Sequence, residues 1–197
     1  AFIVGEEGVI AELEGTSSMS SEFMDRWRTG AETDVIQALD NPRFAQDYGY
    51  LWHVTEAAKK LMEKLGKSVK DFNHVVFQQP NGEWPLLAAG KLGFQPPVTQ
   101  KGMVVQNTGD TGVASVPLGL VAVLDIAKLG ERILAASYGG ASACDAVSLL
   151  VAEPIEEKRA SPSLAQLTER KLYLTYTEYA KQRGLIPKKT KVSYVGL

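Results

Sequence analysis

Gln106-Asn107-Thr108-Gly109-Asp110-Thr111-Gly112-Val113-Ala114-Ser115-Val116-Pro117-Leu118-Gly119-Leu120 sets a polar, glycine-punctuated turn directly before a nearly uncharged helix predicted over Val113 to Leu124. A helix without a polar face has to be buried. Its N-terminus then points free backbone N–H groups and the positive end of its dipole into the interior, which suits a carbonyl, an oxyanion or a phosphate. Asp110 and Thr111 are also good N-cap residues, so taken alone the turn marks a helix start as readily as a site.

Strands and helices alternate on both sides of this turn. Gly102-Met103-Val104-Val105 reads as the strand entering it, and Arg132 to Tyr138 and Cys144 to Ala152 as two strands after it. Upstream, Leu51, Val54, Ala58, Leu61, Met62 and Leu65 follow helical spacing and stop at Gly66. His74-Val75-Val76-Phe77 reads as a buried strand, Gln78 to Gly82 as a turn and Trp84 to Leu92 as a helix. Phe2-Ile3-Val4 and Val9 to Leu13 resemble a hairpin, and residues 15–48 a long polar loop, of the kind that forms a lid or shapes a site. Helix dominates the tail, near Leu164–Gln182. The fold class is therefore α/β, a mixed, mostly parallel five-stranded sheet covered by helices in the order βαβαβαββ.

At 197 residues with 45% hydrophobic and 22% charged side chains, the chain suits one soluble globular domain. Its net charge of −2 is unevenly spread: residues 158–191 hold nine Lys or Arg against two Glu, and the remainder is acidic. The basic segment, 158–197, suits a phosphate-rich ligand or acidic partner, or simply a solvated helix face. An acidic chain without basic runs interleaved with aromatics does not point to nucleic acid. One cysteine excludes an intrachain disulfide framework, and two histidines argue against a dedicated metal site. The apolar run Val113–Leu124 is too short for a bilayer, so a cytoplasmic protein without a signal peptide is expected.

Ligands bind at the carboxyl ends of the strands of such sheets, and three loops there stand out. Gln78-Gln79-Pro80-Asn81-Gly82 and Gly109-Asp110-Thr111-Gly112 are two; the third is Tyr138-Gly139-Gly140-Ala141-Ser142 between two strands. Each is also ordinary turn chemistry, and their meeting at one end of the sheet is the stronger signal. Cys144 lies in a strand rather than at a helix N-terminus, so it reads as a core residue. His53 and His74 read as structural.

Val76-Phe77-Gln78-Gln79-Pro80-Asn81-Gly82, Gly109-Asp110-Thr111 with Ser115-Val116-Pro117-Leu118-Gly119-Leu120, and Ala136-Ser137-Tyr138-Gly139-Gly140-Ala141 resemble the archaeal-type 3-hydroxy-3-methylglutaryl-CoA synthases of the thiolase superfamily. Ketoacyl synthase III is a more distant match. The resemblance runs collinearly from Phe2 to about Ile186, takes in the Asp25–Arg28 region, and covers the C-terminal half of that family. It implies a single thiolase-like C-terminal domain over 1–197, acting on a coenzyme A thioester with no covalently bound cofactor and no metal. The family's nucleophilic cysteine and acidic glutamate lie in the other half, which implies a subunit completing its site with a separate N-terminal-half chain. The other reading is a non-catalytic subunit that scaffolds an active partner or binds acyl-CoA. A homo- or hetero-oligomer and a small zinc-ribbon acyl-CoA-binding partner are further implications, with no membrane partner.

Gln78 and Asp110 stand where the family keeps histidine and asparagine. Glutamine still donates a hydrogen bond to an oxyanion but cannot act as acid or base near pH 7. An aspartate charge would repel an enolate unless it is protonated, metal-bound or turned away. The implied substrate- and CoA-binding residues are Trp27, Arg28, Pro80, Asn81, Gly139, Gly140 and Ala141, with Arg28 suited to a phosphate and Trp27 to an adenine face.

Overall fold

The computed structural model describes residues 2–27, 37–38, 41–139, 142–153, 155–159 and 161–186. Its strands are β1 (Ala11–Ser20), β2 (Arg26–Trp27), β3 (Gln37–Ala38), β4 (His74–Phe77), β5 (Arg132–Gly139) and β6 (Ala143–Val151). Its helices are α1 (Pro42–Phe44), α2 (Trp52–Leu65), α3 (Trp84–Leu92), α4 (Pro96–Gln100), α5 (Val105–Thr108), α6 (Ser115–Leu124), α7 (Ile155–Lys158), α8 (Leu164–Glu169) and α9 (Tyr176–Gln182). A π-helix, Ala45–Leu51, runs straight into α2.

The main sheet has the order β1-β6-β5-β4, and β2 pairs with β3 in a small second sheet. Strand β4 runs parallel to β5, with His74 opposite Ile133 and Phe77 opposite Ala136. Strands β5 and β6 form an antiparallel hairpin, and β1 pairs antiparallel with β6. Period-two alternation along β5 divides the core. Leu134, Ala136 and Tyr138 pack with Tyr50, Val54, Ala58 and Leu61 on one face, while Ile133 and Ala135 pack with Val116, Val123 and Leu124 of α6 on the other.

The α/β class of the sequence reading holds, but the sheet differs in count and direction. Among the described residues it has four strands rather than five, and one of its three pairings is parallel. Gly102 to Val105, expected as a strand, is a turn leading into α5 because a side chain takes the place of a neighbouring strand. Gln79 Oε1 accepts from the N–H groups of Val104 at 2.8 Å and Val105 at 3.0 Å, and Gln79 Nε2 donates to the Gly102 carbonyl at 2.7 Å. The hairpin expected over Phe2–Leu13 is absent: residues 2–10 hold no strand. The first strand, β1, takes in residues 15–20, which had read as loop. Thr16 to Ser20 alternate half-buried and exposed positions against β6, but Ser17 carries the inward place of an apolar residue and hides the period.

Helix α6 is also less enclosed than its composition suggests. Val116, Gly119, Val123 and Leu124 are buried against the sheet, whereas Pro117 is exposed and Val113, in the 3-10 turn before it, is 93% exposed. The uncovered side opens an apolar groove of about 330 Å³ lined by Phe2, Val113, Pro117, Leu120, Val147 and Leu149. Among the described residues no helix is long and apolar enough to cross a membrane.

Candidate functional site

The turn leaving β4 at its carboxyl end carries two glutamines pointing opposite ways, Gln78 to the α2 side with Trp84 and Tyr138 and Gln79 to the α6 side with Val76. Gln79 turns into the protein and fixes the 102–105 segment, and its backbone N–H donates to Ser115 Oγ at 2.8 Å at the start of α6. Gln78 lines a pocket of about 30 Å³ with Arg26, Pro80, Trp84 and Tyr138. Gln78 is 8% exposed, and among the described residues its side-chain amide has no hydrogen-bond partner. Its backbone is fixed on both sides: the N–H donates to Ala136 O at 3.0 Å, and the carbonyl accepts from Tyr50 Oη at 2.6 Å. Burial raises the Tyr50 phenol well above its ordinary range, so it remains a donor.

Tyr138, on β5, forms another wall. Its hydroxyl donates to Asp25 Oδ2 at 3.0 Å. Burial first, and the Asp25 charge next, push the Tyr138 phenol far above its ordinary value. Asp25 is 1% exposed, and among the described residues its second oxygen, Oδ1, has no hydrogen-bond partner. Close approach of the π-helix makes this packing possible. A Cβ on Gly49 would lie 2.8 Å from both the Tyr138 hydroxyl and Phe23 Cε1. The same segment is pinned again by His53, whose Nδ1 lies 2.6 Å from the Gly49 carbonyl and Nε2 2.9 Å from Ser21 Oγ. The carbonyl can only accept, so Nδ1 carries a proton toward it.

Asp110 reaches the site from the glycine turn. Its Oδ1 accepts from the N–H of Gly112 at 2.8 Å, and its Oδ2 lies 3.8 Å from Arg26 Nη1. The carboxylate is thus turned onto its own loop and faced by a cation, so its charge is compensated locally. The Arg26 and Asp110 side chains are 37% and 36% exposed, so the pair is loose and wet.

The remaining sequence-predicted residues fall in several places. Pro80 lines the pocket, while Asn81 braces the turn before α3, its Oδ1 accepting from Glu83 N and Trp84 N at 2.9 Å each. Gly139 ends β5 opposite Ala143. Trp27 is in β2 beside Arg26. Arg28, Gly140 and Ala141 lie outside the described residues. Cys144 is fully buried in the α2-side core, and burial pushes its thiol up to about 12, so it is a packing residue. His74 opens β4, at the far end from Gln78, and its Nε2 lies 2.7 Å from Glu131 Oε2. Sequence reasoning did not single out Arg26, Trp84 or Tyr138 as pocket residues, because their meeting depends on how residues 21–27 cross the strand ends. The one signal was the run Asp25-Arg26-Trp27, adjacent charges beside an aromatic residue in a polar stretch.

No family model matches the chain. It is 40% identical over 184 residues, 93% of its length, to a hydroxymethylglutaryl-CoA synthase of Methanopyrus kandleri, of which those residues make up 52%. The chain spans about half the length of the curated relatives it matches. Among solved structures it resembles an HMG-CoA synthase complexed with CoA, with a TM-score of 0.72, 19% identity, and coverage of 87% of this chain and 47% of that one. It also resembles 3-oxoacyl-[acyl-carrier-protein] synthase III of Aquifex aeolicus, with a TM-score of 0.64, 19% identity, and coverage of 74% and 46%. The fold is the thiolase-like α/β fold these synthases share, and in sequence the chain resembles archaeal HMG-CoA synthase.

Proposed function

We propose that this chain is a thiolase-like acyltransferase subunit that acts on acyl-CoA, forming or cleaving a carbon–carbon bond. Its site is completed by a separate chain, equivalent to the N-terminal half of its relatives, that carries the nucleophilic cysteine. The observation that carries the reading is the amide of Gln78, at the carboxyl end of β4, which lines a pocket with Arg26 and has no hydrogen-bond partner among the described residues. An amide N–H so placed donates to the carbonyl oxygen of a thioester and more strongly to the oxyanion it becomes. The chain's own thiol, Cys144, is walled into the core, so the nucleophile comes from elsewhere. The apolar groove beside α6 supports a partner packing against that face. A zinc-ribbon acyl-CoA-binding protein and higher oligomers belong to the same proposal.

A second reading is a non-catalytic scaffold for an active partner. It draws support from Gln78, which cannot move a proton, and from Asp110, held in its own loop and faced by Arg26. The test is purification from the native cells with associated chains, followed by CoA release from acetyl-CoA and acetoacetyl-CoA. The enzyme reading expects a cysteine-bearing companion and a release rate lowered about 100-fold in Gln78→Ala, as for a lost oxyanion donor. Wild-type rates in both Gln78→Ala and Asp110→Ala would overturn it, and a stable complex without turnover would favour the scaffold.

A further inference from the structure

Arg26 is a cation of this site that, among the described residues, has only a loose ion pair. It sits in β2, held by pairing with Ala38 and by its neighbour Asp25, whose carboxylate is buried under the Tyr138 hydroxyl. Its Nη1 is 3.8 Å from Asp110 Oδ2, beyond hydrogen-bond range, and among the described residues its guanidinium makes no hydrogen bond. The pocket it lines also holds the unpartnered amide of Gln78, which is 8% exposed. A planar fork of donors next to an amide NH2 suits a group rich in acceptors, and the pocket of about 30 Å³ has room for one the size of a carboxylate. The other walls, Pro80, the Trp84 ring and the Tyr138 ring, suit a short aliphatic stem.

We propose that Arg26 sets the acyl specificity of this site, binding the carboxylate of a carboxyl-bearing acyl group beside Gln78, with Asp110 as an internal competitor for the same guanidinium. The thioester end of that ligand rests on the acyl-CoA reading above, whereas recognition of the carboxylate does not. A ligand carboxylate offers Arg26 two short, parallel hydrogen bonds where Asp110 offers a loose contact, so it displaces Asp110 at little cost. Neutral acyl groups gain nothing from Arg26.

Succinate titrations of the full chain, labelled with nitrogen-15 at arginine and glutamine, test this directly. Succinate should move the Arg26 Nε–H signal and the Gln78 amide signals, whereas succinamide should not. Asp110→Asn should tighten succinate binding about fivefold, the size of a loose exposed ion pair removed from competition. Arg26→Gln should abolish the response at Gln78. No Arg26 response in either wild type or Asp110→Asn, equal affinity in the two, or an unchanged Gln78 response in Arg26→Gln would each overturn the proposal. Calorimetry with succinyl-CoA and butyryl-CoA separates it from the functional reading. Equal affinity for the two thioesters sinks the specificity assignment and leaves the acyl-CoA reading standing. Binding of succinate but of neither thioester sinks the acyl-CoA reading and leaves Arg26 as a carboxylate site.

Discussion

Replacing Gln79 with leucine should be among the most damaging single changes in this chain, although the side chain touches no pocket. Three buried backbone groups depend on its amide: the N–H groups of Val104 and Val105 and the carbonyl of Gly102. Gln79 is 1% exposed, so water does not replace it without opening the packing. A buried polar group left unpaired costs about 1–3 kcal/mol. Three such groups, relieved in part by local rearrangement, give an expected loss of about 4 kcal/mol in Gln79→Leu. Its neighbour supplies the control. The amide of Gln78 makes no hydrogen bond among the described residues, so Gln78→Leu should cost less than about 1 kcal/mol. Urea unfolding followed by tryptophan fluorescence measures both, and hydrogen exchange at Val104 and Val105 localises the effect. A Gln79→Leu variant within about 1 kcal/mol of wild type would refute the reasoning. So would a Gln78→Leu variant equally destabilised.

Two further changes test the packing and the charges around the sheet. A Cβ on Gly119 would lie 2.5 Å from Val76 Cγ1 and 2.8 Å from the Gly102 carbonyl, so Gly119→Ala must push α6 off β4. A cost of about 2–3 kcal/mol in urea unfolding is expected, and an unchanged midpoint would contradict the close approach. Glu14 accepts from Arg132 Nε at 2.7 Å and Nη2 at 2.8 Å, and this hydrogen bonding, joined by that of Ser148, holds its carboxyl below the ordinary glutamate value. A carboxyl lowered on folding stabilises the protein fully above its unfolded value and ceases to do so as pH falls through the folded one. Stability should therefore drop on acidification below the ordinary glutamate range, and less steeply in Glu14→Gln, when midpoints are compared from neutral to acid pH. An identical acid slope in both would remove Glu14 from the account.

Elements set by local apolar period were legible in the sequence; those set by a single long-range polar contact were not. Helix α2 and strands β4, β5 and β6 follow spacings that report one or two buried faces, and the structure has them close to where those spacings put them. Gly102 to Val105 has the composition of a strand, yet its partner is the Gln79 side chain, 23 to 26 residues away, which no local pattern encodes. Strand β1 is the opposite error, a strand written in Ser and Thr whose register is imposed by β6. In the candidate site, Gln78 and Asp110 drew notice because they sit in punctuated turns, one after β4 and the other after α5. Arg26 and Tyr138 were missed as a pair because what joins them is Asp25, buried between two distant segments.

The two adjacent glutamines show how the fold separates stability from chemistry at this site. The turn after β4 sends the two side chains to opposite sides, so that, among the described residues, the Gln79 amide makes three hydrogen bonds to the backbone that precedes Asp110 while the Gln78 amide makes none. The Gln78 amide faces the pocket, so water or a ligand supplies its partner there. The Asp110 loop is positioned by the first glutamine and faces the pocket of the second through Arg26. Loosening Gln79 should therefore release Asp110 from Arg26 as well as unfold the turn. The charge balance at Gln78 thus depends on a hydrogen-bonded amide that lines no part of the pocket.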